Sequence, residues 1–218
     1  MGPDAEPTRG PTSGVRAWVL ISIALGLPAL ALGWVDAARP DSLHRHLIAT
    51  NTLAAYAAQP WTAWTTAWVH LNPLHLAANL LGVVLVALLG LAARVDGRCA
   101  LAWLLAWPLT FLTLLPWPQI RYCVGLSGVL HAGVAVCMVA LTARRDAGSR
   151  WVGWGLMAGL LLKALHEHAW NTIVSHHPVL DVEVVPAVHV SGALWGAVLA
   201  LGLRRWRWRW QERPDQVR

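Results

Sequence analysis

The sequence predicts an all-α integral membrane protein, a bundle of six transmembrane helices, and three observations carry that expectation. Hydrophobic residues make up 56% of the 218 residues and charged residues only 13%, where a soluble domain carries about 25% charged. The mean hydropathy is positive, +0.48, so a globular core would leave much apolar surface in water. The formal net charge of +6 is not gathered on one polar face, as nucleic-acid binding requires. It is spread over short segments between long apolar runs, which is a pattern of membrane topology. The expected surroundings are therefore a lipid bilayer, and no nucleic-acid partner is expected.

In chain order, residues 1–17 are polar, rich in Pro and Gly, and read as a disordered cytoplasmic tail. A bilayer core needs roughly 20 apolar residues in a helix, with about 17–25 tolerated. Six runs meet or approach that length: Trp18–Val35, Pro73–Leu91, Ala100–Leu115, Gly125–Ala143, Trp151–His166 and Pro186–Arg205. Together they define a membrane domain over residues 18–205. The first has no small-residue cleavage site before Trp34 and reads as a retained helix rather than a signal peptide. Several runs are short, which tilting, local bilayer thinning or buried helix ends accommodate.

Residues 206–218 form a basic and aromatic tail. Its alternating Trp206, Arg207, Trp208, Arg209 and Trp210 suit the headgroup region of a membrane. With the amino terminus inside, Arg39, Arg45, Arg121 and Lys163 fall outside and the other thirteen of the 17 Lys and Arg fall inside. The positive-inside rule then puts both termini in the cytoplasm, as in a protein of a bacterial inner membrane. Two connections facing outside are long. Asp36–Asn72 mixes apolar and polar residues and suits a structure lying in the interface, whereas Glu167–Val185 holds His168, His176, His177, Asp181 and Glu183. Cys99, Cys123 and Cys137 form no CxxC pair and read as free thiols.

Polar groups inside spanning helices are expensive and by default mark function. The second run opens with Asn72 as a helix N-cap and Pro73 at the first helical position. His75 and Asn79, four residues apart, then share one face, and His70 falls just before the helix. In the fourth run Ser127 lies near a helix start, where free N–H groups and the positive dipole end can stabilise an oxyanion. Gly125 and Gly128 flank it and allow a substrate or another backbone to come close. In the sixth run His189 shares a stripe with Gly192 and Gly196, a small-residue face that permits tight helix approach, matched by Gly128 and Ala132. These three helices all run from outside to inside, so their polar residues lie at one depth. A serine hydroxyl needs a base to take its proton, and a histidine can return that proton to a leaving amine. The pattern therefore predicts a Ser127–His189 dyad. His75, Asn79 and the Ser127 N–H are the expected oxyanion donors, with no acid on the sixth helix to orient the imidazole.

The His70-x4-His75-x3-Asn79 run, the Gly-Leu-Ser-Gly at Ser127 and the His189-x2-Gly192-x3-Gly196 run resemble those of rhomboid intramembrane serine proteases. The likeness covers about Trp68 to Leu203. It implies Ser127 as nucleophile, His189 as base, His75 and Asn79 as oxyanion ligands, and a six-helix fold with the nucleophile's helix near the centre. Two details depart from the commoner bacterial pattern. A Trp-Arg pair of the first outer loop is missing, and the position four after the serine, often Tyr beneath the histidine, is His131. The segment GLSGVLHAG, with Lys163 and Glu167 in KALHE, resembles the rhombosortase branch. That likeness implies membrane-anchored protein substrates bearing a carboxyl-terminal Gly-Gly-type anchor.

Lys163 and Glu167, four apart on one helical face, read as an interfacial ion pair. Ten histidines raise the alternative of a polytopic metal transporter or a zinc protease. There is no H-E-x-x-H, however, and the spacing of His166, Glu167 and His168 does not suit one helical face. A catalytically inactive rhomboid-like binding protein is the third class, against which the presence of both Ser127 and His189 argues. No metal and no cofactor are expected.

Overall fold

In hydrocarbon every backbone N–H and C=O must be satisfied within the chain, and a helix does this locally. The long apolar runs are accordingly helical. The protein is described here from a computed structural model, which covers residues 13–38 and 44–211, with side chains over residues 13–33 and 46–205. The helices are α1 (Ser13–Ala38), three short ones α2 (His44–Leu47), α3 (Leu53–Ala58) and α4 (Thr62–Thr65), then α5 (Pro73–Ala92), α6 (Gly97–Leu112), α7 (Ser127–Thr142), α8 (Ala147–His166) and α9 (Pro186–Gln211). Strands β1 (Ser175–His177) and β2 (Val182–Val184) form an antiparallel hairpin between α8 and α9. The protein is therefore mostly helical, with one small strand pair that the expectation of an all-α chain did not contain.

Among the described residues, three helical segments are long and apolar enough to cross a membrane: Ser13–Gly33, Pro73–Ala92 and Pro186–Arg205. Gly97–Leu112 and Ser127–Thr142 are apolar but shorter. At 16 residues each they reach about 24 Å at 1.5 Å per residue, short of a bilayer core of about 30 Å. α8 has the length but is less apolar, carrying Arg150 and Lys163. The helix ends also differ from the expected runs, for local reasons. Asp96 caps α6 by accepting from the Arg98 and Cys99 amides, and Asp146 caps α8 by accepting from the Ser149 amide. α1 starts at Ser13, inside the segment read as a disordered tail, and residues 1–12 of that tail lie outside the described residues. α9 continues to Gln211, into the segment read as a separate tail, and residues 212–218 lie outside the described residues.

α7 sits at the centre, packed by α5, α6, α8 and α9. Its Val129, Ala132, Val136 and Cys137 are fully enclosed. Large aromatic side chains fill the space between α1, α5 and α6. The Trp18 and Trp103 rings lie 4.2 Å apart, and each indole N–H donates to a carbonyl, Trp18 to Val86 at 3.1 Å and Trp103 to Val129 at 2.8 Å. Burial of these rings thus leaves no donor unpaired, which the low dielectric requires. Cys99, Cys123 and Cys137 are free thiols.

The segment before α5 braces the approach to α7. Asn51 donates to the Leu114 and Trp117 carbonyls at 2.8 and 3.2 Å, and its amide to the Arg121 carbonyl at 2.8 Å. Thr66 Oγ1 donates to the Cys123 carbonyl at 2.8 Å, and the Gly125 amide donates to the Thr66 carbonyl at 3.2 Å. The turn delivering Ser127 is therefore fixed by side-chain and backbone hydrogen bonds from a distant stretch of chain.

Candidate active site

Three helix starts meet at one end of the bundle. On α5, Asn72 accepts from the His75 amide at 2.7 Å, so the helix opens at Pro73 as its cap chemistry requires. His75, Asn79, Val83, Val86 and Gly90 then form the buried stripe of α5. The Asn72 amide also donates to the Leu180 carbonyl at 2.7 Å, tying the hairpin loop to this helix start.

On α7, Ser127 is the first helical residue, so its N–H and the next ones have no carbonyl one turn earlier to bond. Gly125 precedes it with φ +102°, a conformation that favours glycine. A Cβ at Gly125 would meet the His75 ring at 2.9 Å and Asn79 Nδ2 at 3.4 Å. The His75 imidazole and the Asn79 amide therefore face the backbone just ahead of Ser127. The Leu71 amide donates to His75 Nδ1 at 3.4 Å, which leaves the ring proton on Nε2, the atom facing Gly125. Asn79 Nδ2 is buried with no hydrogen-bond partner among the described residues. Buried donors without partners are rare, and this one faces the backbone just ahead of Ser127.

On α9, glycines set the approach to α7. A Cβ at Gly192 would run into the Gly128 carbonyl, and one at Gly196 into the Ala132 carbonyl. With only hydrogen at both positions, the backbones close up and bring His189 over Ser127. Ser127 Oγ donates to His189 Nε2 at 2.9 Å. His189 is buried, and His131, one turn into α7, stacks on it with ring centroids 4.4 Å apart at 21°. His131 Nδ1 donates to the Ser127 carbonyl at 2.7 Å.

The sequence expectation finds no acid on the sixth helix to orient the imidazole, and the structure brings a carboxylate to the ring from the end of α8 instead. The Lys163–Glu167 ion pair forms, at 2.5 Å, yet the other carboxylate oxygen reaches His189 Nδ1 at 2.7 Å. Glu167 caps the end of α8, and its side chain is only 10% exposed. Burial alone would raise its carboxyl, but the hydrogen bonds and charges of His189 and Lys163 outweigh that and hold it at about 2. The signal was available in principle. The fifth run ends at the depth where the second, fourth and sixth begin, so its last turn belonged in the same comparison.

Of the other expected residues, His70 stands beside the site. Its ring meets His75 edge-on at 4.9 Å, and its Nδ1 donates to the Trp68 carbonyl at 3.0 Å. The outer histidines do not gather. His176 pairs with Asp181 and Glu183 at 3.6 and 3.7 Å, and among the described residues no group of three or more His, Cys, Asp or Glu is arranged to hold a metal.

Among the described residues, Ser127 lines two openings. One, of about 260 Å³, lies under the hairpin between Leu71, Tyr122, Val184 and Val188. The other, of about 440 Å³, is an apolar cleft between α5, α7 and α8 that passes Gly82, Leu130, Gly155 and Gly159.

Apolar helices, three of them long enough to cross a membrane among the described residues, define an integral membrane protein with a part-buried serine–histidine contact at one end. The chain belongs to the rhomboid family, whose members are intramembrane serine proteases, some of them inactive: the Rhomboid domain matches residues 57–206. Comparison with curated proteins finds no match.

Proposed function

We propose that this protein is an intramembrane serine endopeptidase with Ser127 as nucleophile and His189 as general base. The observation that carries the reading is the 2.9 Å contact between Ser127 Oγ and His189 Nε2, set beside an unpartnered Asn79 donor. His189 Nε2 takes the hydroxyl proton as Oγ attacks the scissile carbonyl carbon. The carbonyl oxygen becomes an oxyanion, and the His75 Nε2–H, Asn79 Nδ2–H and Ser127 N–H donate to it. Collapse of the tetrahedral intermediate breaks the C–N bond, and His189 gives its proton to the leaving amine. A water, deprotonated by His189, then hydrolyses the acyl-serine by the same steps in reverse order.

The substrates are membrane-anchored proteins, entering from lipid through the apolar cleft between α5 and α8. Six helices span the bilayer, both termini are cytoplasmic, and the site lies near the outer face of a bacterial inner membrane. The short α7 is tolerated because neighbouring helices enclose it, and the short α6 by tilting or local thinning of the bilayer. The likeness of GLSGVLHAG and KALHE to the rhombosortase branch supports a carboxyl-terminal Gly-Gly-type anchor as the cleaved element. The test is reconstitution into liposomes with a tagged protein carrying such an anchor. The native protein should release the tagged domain and Ser127→Ala should not, whereas equal release by both removes the nucleophile assignment.

A further inference from the structure

We propose that Glu167, held by Lys163, is a positioning residue for His189, so that the site works as a Ser–His–Glu triad whose acid comes from the end of α8. The inference rests on the protease reading above and deepens it. Its basis is a continuous chain of contacts across three helices. Lys163 Nζ meets Glu167 Oε1 at 2.5 Å, Glu167 Oε2 meets His189 Nδ1 at 2.7 Å, and His189 Nε2 meets Ser127 Oγ at 2.9 Å.

The chemistry follows from which atoms can donate. An ionised carboxylate only accepts, so the atom it faces, Nδ1, must carry the imidazole proton. Nε2 is then left with its lone pair, in the one tautomer able to take the serine proton. Without an acceptor at Nδ1, the ring could place its proton on Nε2, where it points at Ser127 Oγ and blocks the reaction. Once Nε2 has gained the serine proton, the carboxylate also lies against the resulting imidazolium and stabilises it. Among the described residues the ring has no other hydrogen bond at Nδ1, and stacking on His131 fixes its plane but not its tautomer.

Position supports the assignment as well. Glu167 occupies the C-cap of α8 with helical backbone, and His168 after it turns to φ +49°, so the carboxylate stands at a fixed helix end rather than in a free loop. Lys163 is one turn back on the same helix, its side chain 40% exposed, and it also lines the cleft from α5 to α8. Gly153 is the one buried residue of α8. The Glu167 contact thus joins the far end of this loosely held helix to α9. Substrate that enters by the cleft must do so without swinging that end away, or the imidazole loses its acceptor.

The experiment compares steady-state kinetics of the native protein, Glu167→Gln, Glu167→Asp and Lys163→Met in proteoliposomes with one cleavable membrane-anchored reporter, with Ser127→Ala as control. The amide of Glu167→Gln keeps the shape but can present a donor to Nδ1. It should lower kcat on the order of 10²–10⁴-fold, as loss of the triad acid does in soluble serine proteases, with KM and the thermal midpoint unchanged. Glu167→Asp should restore a large part of the loss, and Lys163→Met should cost about 10-fold in kcat. Because a packing role would alter the midpoint or KM instead, Glu167→Gln activity within about threefold of native overturns the inference, as does a loss carried only by KM. If Ser127→Ala still cleaves, the protease reading itself fails, and the two failures are told apart.

Discussion

The His131 ring lies parallel to His189, 4.4 Å away, and bonds back to the carbonyl of Ser127. A flat platform on the same helix as Ser127 thus sets the plane of the His189 ring. Misplacing a catalytic group by about 1 Å can reduce a rate about 10²-fold. His131→Ala, which removes the platform, should lower kcat about 10- to 100-fold, whereas His131→Tyr and His131→Phe should stay within about fivefold of native. Steady-state kinetics decide it, and native kcat in His131→Ala contradicts the platform role.

Asn79 offers a buried donor that no described residue accepts. If that donor serves the oxyanion, its value appears in the transition state and not on binding substrate. Asn79→Ala should reduce kcat about 10²–10³-fold with KM held within about twofold. A change confined to KM would assign the amide to substrate binding instead.

Gly192 sets the distance between α7 and α9. A methyl there meets the Gly128 carbonyl, and backbone cannot move aside as a flexible side chain can. Gly192→Ala should reduce cleavage more than about 10²-fold and lower the thermal midpoint, since overpacking costs about 1–3 kcal/mol. Gly202 lies on the same helix facing open space, so Gly202→Ala should leave both within error. Equal behaviour of the two variants would show that close approach does not position His189.

His70 gives a pH dependence with a definite sign. Burial first, and then the neighbouring His75, push it from 6.5 down to about 4, against the opposing pull of the Trp68 carbonyl. Between those values the unfolded chain binds a proton that the native protein refuses, so stability falls as pH drops from about 6.5 toward about 4 and levels off below. His70→Gln should remove part of that fall, a difference of at least about 2 °C in thermal midpoint over the window. Parallel curves for the two proteins would refute it.

The sequence was informative where chemistry is local. Asn72 and Pro73 mark the start of α5, the four-residue spacing puts His75 and Asn79 on one face, and the Gly192–Gly196 stripe matches Gly128 and Ala132. Long-range pairing was harder to see. Glu167 showed its partner one turn away, Lys163, but its bond to His189 spans 22 residues and a hairpin, and no periodicity encodes that. The same holds for Asn51, whose three bonds brace the turn before α7 from more than 60 residues away. The start of α1 at Ser13 was hidden because polar residues at a helix end look like tail.

Activation of Ser127 by His189 is the step on which the proposed chemistry turns. The most direct measurement is labelling of the protein in native membranes with a fluorophosphonate probe, followed by mass spectrometry of the modified peptide. A single adduct on Ser127 is predicted, absent in Ser127→Ala and strongly reduced in His189→Ala. No adduct on Ser127 in the native protein, or an undiminished one without His189, would contradict the account.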